Sequence, residues 1–482
     1  MWQGGGVASS LVQQVRGRVR LRTRLRAARE RWHRLVPRRL PRWPGPQGVA
    51  EAPGPRRPPA AAGPYEPTAA AAAAPGPART AAPGGRVSAD ATTANPLGRQ
   101  RYGRHLPAGR LRLVAGTGGA WWQIGRGAPP TARFVVVVAG RVGGPLDEPQ
   151  AAVLRELGAV HLAGGWDGGM PPVAAATAIV QLAMTGVVLH AGELPGDVAP
   201  LLAPELSALV LDPLPGRDAD PLEWEIRSVR QRRAALRHHA TGLAAPAAAG
   251  AAPTPLPAVT AVLLTRRPHQ LARVVRELAG QTYPDLEIVV GLHGVDLPAA
   301  VRDGLTAQPR PFHLVRVAAS RNFGEALGEA TRRAGGSVVT KVDDDDRYGP
   351  EHVWDLVLAR HYSGAALVGK GAEFVHVEPR GMTVRRRMGA ELFTDVVAGG
   401  TILVARDDLE AVGGWSPVDR SVDRDLLDRV LGAGGRVYRT HPLGFIYTRH
   451  AGGHTWETGL DYFLRDPLRR WRGLPRHDEF GT

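Results

Sequence analysis

The sequence predicts an α/β protein: two successive α/β units behind a basic N-terminal arm. Three observations predict it. Residues 110–212 alternate short apolar runs with helical patterns, residues 257–465 repeat that alternation, and residues 1–98 show no such alternation. The expected division is 1–109 arm and linker, 110–243 small α/β domain, and 257–482 a second, larger α/β domain.

The arm comes first. Its first 50 residues hold twelve arginines and one acid, Glu30, so +11 of the formal net charge of +16 sits there. Within the basic segment 15–42, arginines alternate with mostly apolar residues over 15–26, and Leu21, Leu25, Ala28, Trp32 and Leu35 follow helical spacing. Two readings stay open: a disordered, solvated segment, or an amphipathic stripe in peripheral contact with an anionic membrane surface. Residues 44–98 are rich in Pro, Ala and Gly and read as linker. Such an arm adheres to polyanions without sequence preference, and no specific nucleic-acid partner is expected. The chain has no cysteine, which excludes disulfides and thiolate metal sites and fits a cytoplasmic protein. No run approaches the roughly 18 apolar residues of a membrane span.

In the small unit, FVVVVAG (134–140), AVHLAG (159–164), VVLHAG (187–192) and SALVLDP (207–213) read as strands. PQAAVLRELG and PVAAATAIVQLAMTG read as the helices between them, giving a largely parallel sheet. Residues 220–240 read as a helix with Leu222, Ile226, Val229 and Leu236 on one face and its arginines on a solvated face.

The second unit opens with the strand PAVTAVLLT, the helix HQLARVVRELAGQ and the strand DLEIVVGLHG. FHLVRVA, NFGEALGEATRRAG and GSVVTKV continue as strand, helix and strand. The last of these delivers four adjacent aspartates, Asp343, Asp344, Asp345 and Asp346. The carboxyl ends of strands in open α/β sheets are where ligands bind. Like charges placed side by side repel, and a divalent cation offsets that. Mg²⁺ or Mn²⁺ is held by one or two carboxylates together with substrate phosphates and water. Continued strand alternation puts Asp343 and Asp345 on one side and Asp344 and Asp346 on the other. The alternative is an Asp-rich turn leading into a helix whose first position is Pro350.

In this order the motifs resemble the family 2 glycosyltransferases, inverting enzymes of GT-A fold. They are VTAVLLTRRP, LAGQTYPDLEIVV, RNFGEALGEATRRAGGSVVTKVDDDDRYGP, VAGGTILVARDDLEAVGGWSP and SVDRDLLDRVLGAGGRVYR. The resemblance spans roughly residues 258–448. It implies a Rossmann-like, nucleotide-diphospho-sugar transferase domain, a nucleotide-sugar donor and a Mn²⁺ or Mg²⁺ cofactor. It implies a glycan or lipid-linked acceptor, and hence an enzyme in the cytoplasm or at the inner face of the plasma membrane. An inactive module of the same fold that binds nucleotide or glycan is the competing reading.

Residue by residue, the resemblance gives Asp343 to the donor and metal, Asp345 to the metal, and Asp423 the role of catalytic base. Asp425 and Arg429 match the supporting acid and arginine. Val422 stands where the family usually has Glu, and GLHG, with His293, stands where it often has V-D-D-G, so UDP is not implied. Thr265, Arg266 and Arg267, at the end of the first strand, are candidates for nucleotide contact, with an ordinary solvent-facing turn as the alternative for Arg267. His454 is a candidate metal ligand, because some enzymes of this fold use a late histidine. The chain has two lysines among 61 basic residues, Lys341 and Lys370, and both lie in this domain. Lys and Arg are not interchangeable, so Lys370 is a candidate for phosphate or acceptor. For Asp423 the competing reading is a helix N-cap.

Overall fold

A computed structural model describes residues 86–91, 95, 108–116, 119–126, 135–162, 170–216, 218–243, 255–306, 309–450 and 459–482. The arm and His454 lie outside these.

The small unit is built on five strands: β1 (Gly109–Gly116), β2 (Gly119–Arg126), β3 (Val135–Arg141), β4 (Val160–Leu162) and β5 (Leu189–His190), in the order β3-β2-β1-β4-β5. β1, β4 and β5 run parallel, whereas β1–β2 and β2–β3 are antiparallel. The sheet is therefore mixed rather than largely parallel. The hairpin GRLRLVAG/GAWWQIGR supplies the antiparallel part. Its helices are α1 (Glu148–Leu154), α2 (Pro172–Met184), α3 (Pro204–Leu211) and α4 (Pro221–His239). The stretch 207–213, expected as a strand, falls largely in α3. Pro204 opens that helix, and Leu206 and Val210, four apart, form its buried face.

The α4 helix corrects a second expectation. Asp220 caps it by accepting from the Leu222 amide, and Pro221 follows at its start. Its arginines are not a solvated face: Arg227, Arg232 and Arg233 are 7%, 3% and 5% exposed. Arg233 pairs with Asp355 at 2.9 Å and Glu479 at 3.0 Å, and Arg232 with Glu391 at 2.9 Å. Buried guanidinium groups of this kind persist only when paired.

The second unit follows in chain order with β6 (Val259–Thr265), α5 (Leu271–Ala279), β7 (Leu286–His293), α6 (Ala299–Thr306), β8 (Phe312–Val317), α7 (Phe323–Thr331), β9 (Val338–Val342), β10 (Arg347–Tyr348) and α8 (His352–Ser363). Then come β11 (Leu367–Gly369), β12 (Phe374–Val377), β13 (Met382–Arg385), β14 (Leu392–Phe393), β15 (Leu403–Ala405), α9 (Arg406–Ala411) and α10 (Val422–Gly432). The chain closes with β16 (Val437–Arg439), β17 (Phe445–Arg449), α11 (Leu460–Leu464) and β18 (Arg469–Arg472). Eight strands form one sheet in the order β14-β16-β11-β15-β9-β6-β7-β8, and β10-β17-β12-β13-β18 form another.

β6, β7, β8 and β9 are parallel, and β6 and β7 are buried along nearly their whole length. That is the continuous apolar run a parallel sheet covered on both faces requires. β6 lies between β9 and β7, and Leu263 pairs with Val342. The two chain ends, Thr265 and the aspartates, are thereby delivered to the same place. One apolar cluster runs from Trp122 and Ile179 through Ala235 and Leu236 to Trp354, Leu358 and Val290, so both units share a core.

Candidate functional site

β9 stops at Val342, and residues 343–346 form a turn, so strand alternation does not carry into the aspartates. Asp344 and Asp346 are buried, and each carboxylate has its own partners. Asp344 accepts from Thr265 Oγ1 and from Arg267, whose Nε lies at 3.2 Å. Arg267 Nη2 also reaches Asp345 Oδ2 at 2.8 Å. Asp344 and Asp345 thus share one guanidinium rather than facing opposite ways. Asp346 accepts from the Thr448 amide at 2.8 Å. Burial pushes its carboxyl well above the usual range, and the charges of Asp345 and Asp343 add to that. The turn's backbone is held by Arg273, which donates to the Asp346 carbonyl at 2.6 Å and the Asp344 carbonyl at 2.9 Å. The helix after it begins at His352, two residues beyond Pro350.

Asp343 faces a different neighbour. Lys341, 3% exposed, places its Nζ 2.6 Å from Asp343 Oδ1 and 3.2 Å from Asp423 Oδ1. The two carboxylates come from segments 80 residues apart in the chain and meet on one ammonium. Each is about one-third exposed, 33% for Asp343 and 34% for Asp423. Burial pushes the Asp343 carboxyl up to about 6; Asp423 and Asp345 act in the same direction, and the Lys341 ammonium opposes them. The ammonium itself is held above the ordinary lysine value, because its two carboxylates outweigh its burial.

Two glycines let the backbone close over this group. The 3₁₀ turn Gly399–Thr401 runs against the carboxylates. A Cβ on Gly399 would collide with the Asp423 carboxylate; one on Gly400 would lie 2.9 Å from Asp343 Oδ2 and 3.0 Å from Asp346 Oδ2. Buried Tyr348 ties the pieces together by accepting from the Asp343 amide at 2.9 Å and donating to the Gly400 carbonyl at 3.0 Å.

Asp423 is not the N-cap of α10. That position is Ser421, in the left-handed region at φ 60°, and Asp423 lies two residues inside the helix. Its carboxylate points to Lys341. Asp425 and Arg429 form the expected pair at 2.8 Å, and Arg429 also donates to the Gly414 carbonyl at 2.8 Å. They brace the start of α10 rather than reach the carboxylate group.

The remaining candidates separate. Thr265 is at the site, 2% exposed and donating to Asp344. Arg266 turns toward buried His293, with Nε 3.1 Å from its Nδ1. Arg267, not Arg266, is the residue of this turn that reaches the aspartates. Lys370 does not join them: it is fully buried, and its ammonium binds Asp355 at 2.9 Å and the Leu443 carbonyl. Only its backbone serves the site, accepting from the Ala398 amide at 2.8 Å just before the glycine turn. His450 lies beside the turn, with Nε2 3.9 Å from Asp345 Oδ2 and Nδ1 2.5 Å from Glu378. Among the described residues, no three His, Cys, Asp or Glu side chains gather to hold a metal unaided. Asp343 and Asp345 nevertheless offer the hard oxygen donors that Mg²⁺ or Mn²⁺ takes, one or two carboxylates being enough when a diphosphate supplies the rest.

Residues 262–413 match the family model of glycosyl transferase family 2. The aspartate turn and the glycine turn lie inside the match, and Asp423 lies ten residues past its end. No curated protein matches the chain. Among solved structures it is similar to the mannosyltransferase PcManGT from Pyrobaculum calidifontis, in complex with GDP-Man and Mn²⁺. That likeness has 20% identity and a TM-score of 0.32, over 41% of this chain and 57% of that one. It is also similar to S. aureus TarS 1–349 in complex with UDP-GlcNAc, at 15% identity and a TM-score of 0.34, over 42% of this chain and 63% of that one. The chain spans less than two thirds of either structure. The α/β architecture expected from the glycosyltransferase resemblance is the one present.

Lys341 is the residue of this carboxylate group that the sequence left without a role. The signal was available: a lysine two residues before the first aspartate, in a chain whose basic residues are otherwise nearly all arginine. Asp346 was also passed over, because strand alternation turned it away from the site.

Proposed function

We propose that residues 257–482 transfer a sugar, with inversion, from a nucleotide-sugar donor to a hydroxyl of a cell-surface polysaccharide or glycoconjugate acceptor. The observation that carries this reading is the meeting of Asp343 and Asp423 on Lys341 Nζ, at 2.6 and 3.2 Å. It puts the donor-side carboxylate and the base candidate at one partly open point, which a sugar's anomeric carbon and an incoming hydroxyl must share. Asp343 and Asp345 would hold the Mn²⁺ or Mg²⁺. When bound, that ion supplies Lewis-acid neutralisation of the leaving diphosphate. Asp423 takes the proton of the acceptor hydroxyl, the oxygen bonds to the anomeric carbon, and the carbon–oxygen bond to the diphosphate breaks with its electron pair leaving on the nucleotide. Lys341 orients the Asp423 carboxylate, and the glycine turn keeps room beside it. Thr265 and Arg267 anchor the turn that carries Asp345. Among the described residues, no helix is long and apolar enough to cross a membrane; peripheral contact through residues 15–42 remains a proposal about the arm.

Asp423→Asn tests the reading. It keeps the shape and removes the base, so transfer should fall by about 10² to 10⁴-fold while nucleotide binding stays nearly unchanged. Retained turnover would refute the assignment of Asp423. Binding without any turnover in the wild type would favour the inactive module.

A further inference from the structure

The five-stranded sheet buries one face and opens the other. On β1, Gly109, Leu111 and Leu113 are buried while Arg110 and Arg112 are exposed. On β2, Trp122 and Ile124 are buried, Gln123 is half-buried, and Trp121 is 41% exposed. This is the period of two of a sheet with a single core face.

The register turns that alternation into rows. Arg110 lies opposite His161, and His161 opposite His190. Arg112 lies opposite Gln123, and Trp121 opposite Arg141. Three arginines, two histidines, a glutamine and a tryptophan therefore share the open face. None of the five strands contains Asp or Glu. Among the described residues, Arg110, Arg112 and Arg141 form no ion pair. His161 Nδ1 lies 3.3 Å from His190 Nδ1, and the His161 ring is held below its ordinary value by burial, by His190 and by Arg110. The two rings can share one hydrogen bond as neutral imidazoles, which leaves the positive charge of the face to the three arginines.

We propose that this open sheet face seats an anionic glycan, the carbohydrate chain to which the transferase adds. This rests on the transferase reading for its biological role, though not for the binding itself. Charge complementarity selects an anion: guanidinium forks fit carboxylate and phosphate groups. Trp121 offers a flat apolar surface for a sugar ring between the charged contacts. A single-stranded nucleic acid fits less well. Sheets that read it stack two or three successive bases on aromatic side chains, and this face exposes one.

The test uses the full-length protein at about 0.15 M salt, where weak long-range attraction is screened. The probes are an oligogalacturonate (carboxylate), a phosphomannan fragment (phosphate), neutral dextran and a single-stranded oligonucleotide. Each is titrated calorimetrically into the wild type, the double variant Arg110→Ser/Arg112→Ser, and Trp121→Ala. The substituted side chains are exposed, so unchanged circular dichroism is expected. At least one acidic glycan should bind, and its identity names the anion. Dextran should not bind. Each variant should weaken the acidic glycan by about tenfold, as loss of a stacking or charged anchor does. The basic arm is present in all three proteins, so its contribution cancels in the comparison. Equal affinity across the three would overturn the proposal, as would an oligonucleotide that binds tighter and depends on the same residues. Metal-dependent nucleotide binding is measured on the same samples. Nucleotide binding without variant-sensitive glycan binding removes the platform and leaves the transferase. The reverse result keeps the platform as a glycan-binding surface and removes its role as acceptor seat.

Discussion

At the joint between α4 and α8, Arg233 lies between Asp355 and Glu479, and all three are at most 5% exposed. At the aspartate turn, Asp343 and Asp423 divide one ammonium between them and keep about a third of their side-chain surface in water. Each is one cation between two carboxylates, at similar distances. The difference lies in what is left over. Every charge at the joint is enclosed with its partners, so the joint holds the two units together. The carboxylates at the turn retain open oxygen, with glycine backbone in place of side chains around them. That is a place for a ligand to arrive.

The comparison breaks most visibly if the enclosed charges prove dispensable. Asp355 faces Arg233, Lys370 at 2.9 Å and His441 at 3.4 Å. Asp355→Ala leaves Arg233 and Lys370 buried without it and should cost about 3–5 kcal/mol of unfolding free energy, read by denaturant titration. A loss near zero would mean that water reaches the joint.

The same joint should fail in acid before the turn does. Burial works to raise the Glu479 carboxyl, but Arg233 and a hydrogen bond from Arg230 outweigh it and bring it down to about 2 from 4.5. A depressed carboxyl contributes stability that is fully present above the unfolded value and is lost as pH falls through the folded one. Unfolding temperature should therefore drop between about pH 4.5 and 2, and Glu479→Gln should flatten that drop. An unchanged slope in the variant would place the acid sensitivity elsewhere.

Lys370→Arg sharpens the contrast by a smaller margin. The side chain has no exposed surface and one fitted carboxylate partner. The bulkier guanidinium should cost about 1–3 kcal/mol through overpacking, with turnover per folded molecule nearly unchanged. Normal stability with lost turnover would return Lys370 to the donor or acceptor.

The central strands were legible because β6, β7 and β9 are unbroken apolar runs, and the site's position followed from them. Motif order pointed to Asp343 and Asp423, and the two carboxylates meet on Lys341. What was hidden depended on long-range partners or on where a strand stops. The α4 arginines looked solvated because their acids lie far off in sequence, Asp355 122 residues away and Glu479 246. Strand alternation does not extend into the aspartates because β9 ends at Val342. SALVLDP looked like a strand by composition, and Pro204 upstream made it a helix. In the hairpin β1–β2, only β1 carries a strict alternation of Arg with Leu, the period-two signal of a strand with one open face.

The most direct test of the account is thermal-shift binding of UDP, GDP and dTDP, each with and without Mn²⁺, on the wild type and on Asp345→Asn. The account predicts stabilisation by at least one nucleotide that needs Mn²⁺ and is lost in the variant. No metal-dependent shift with any of the three would contradict it and leave the four aspartates as a turn.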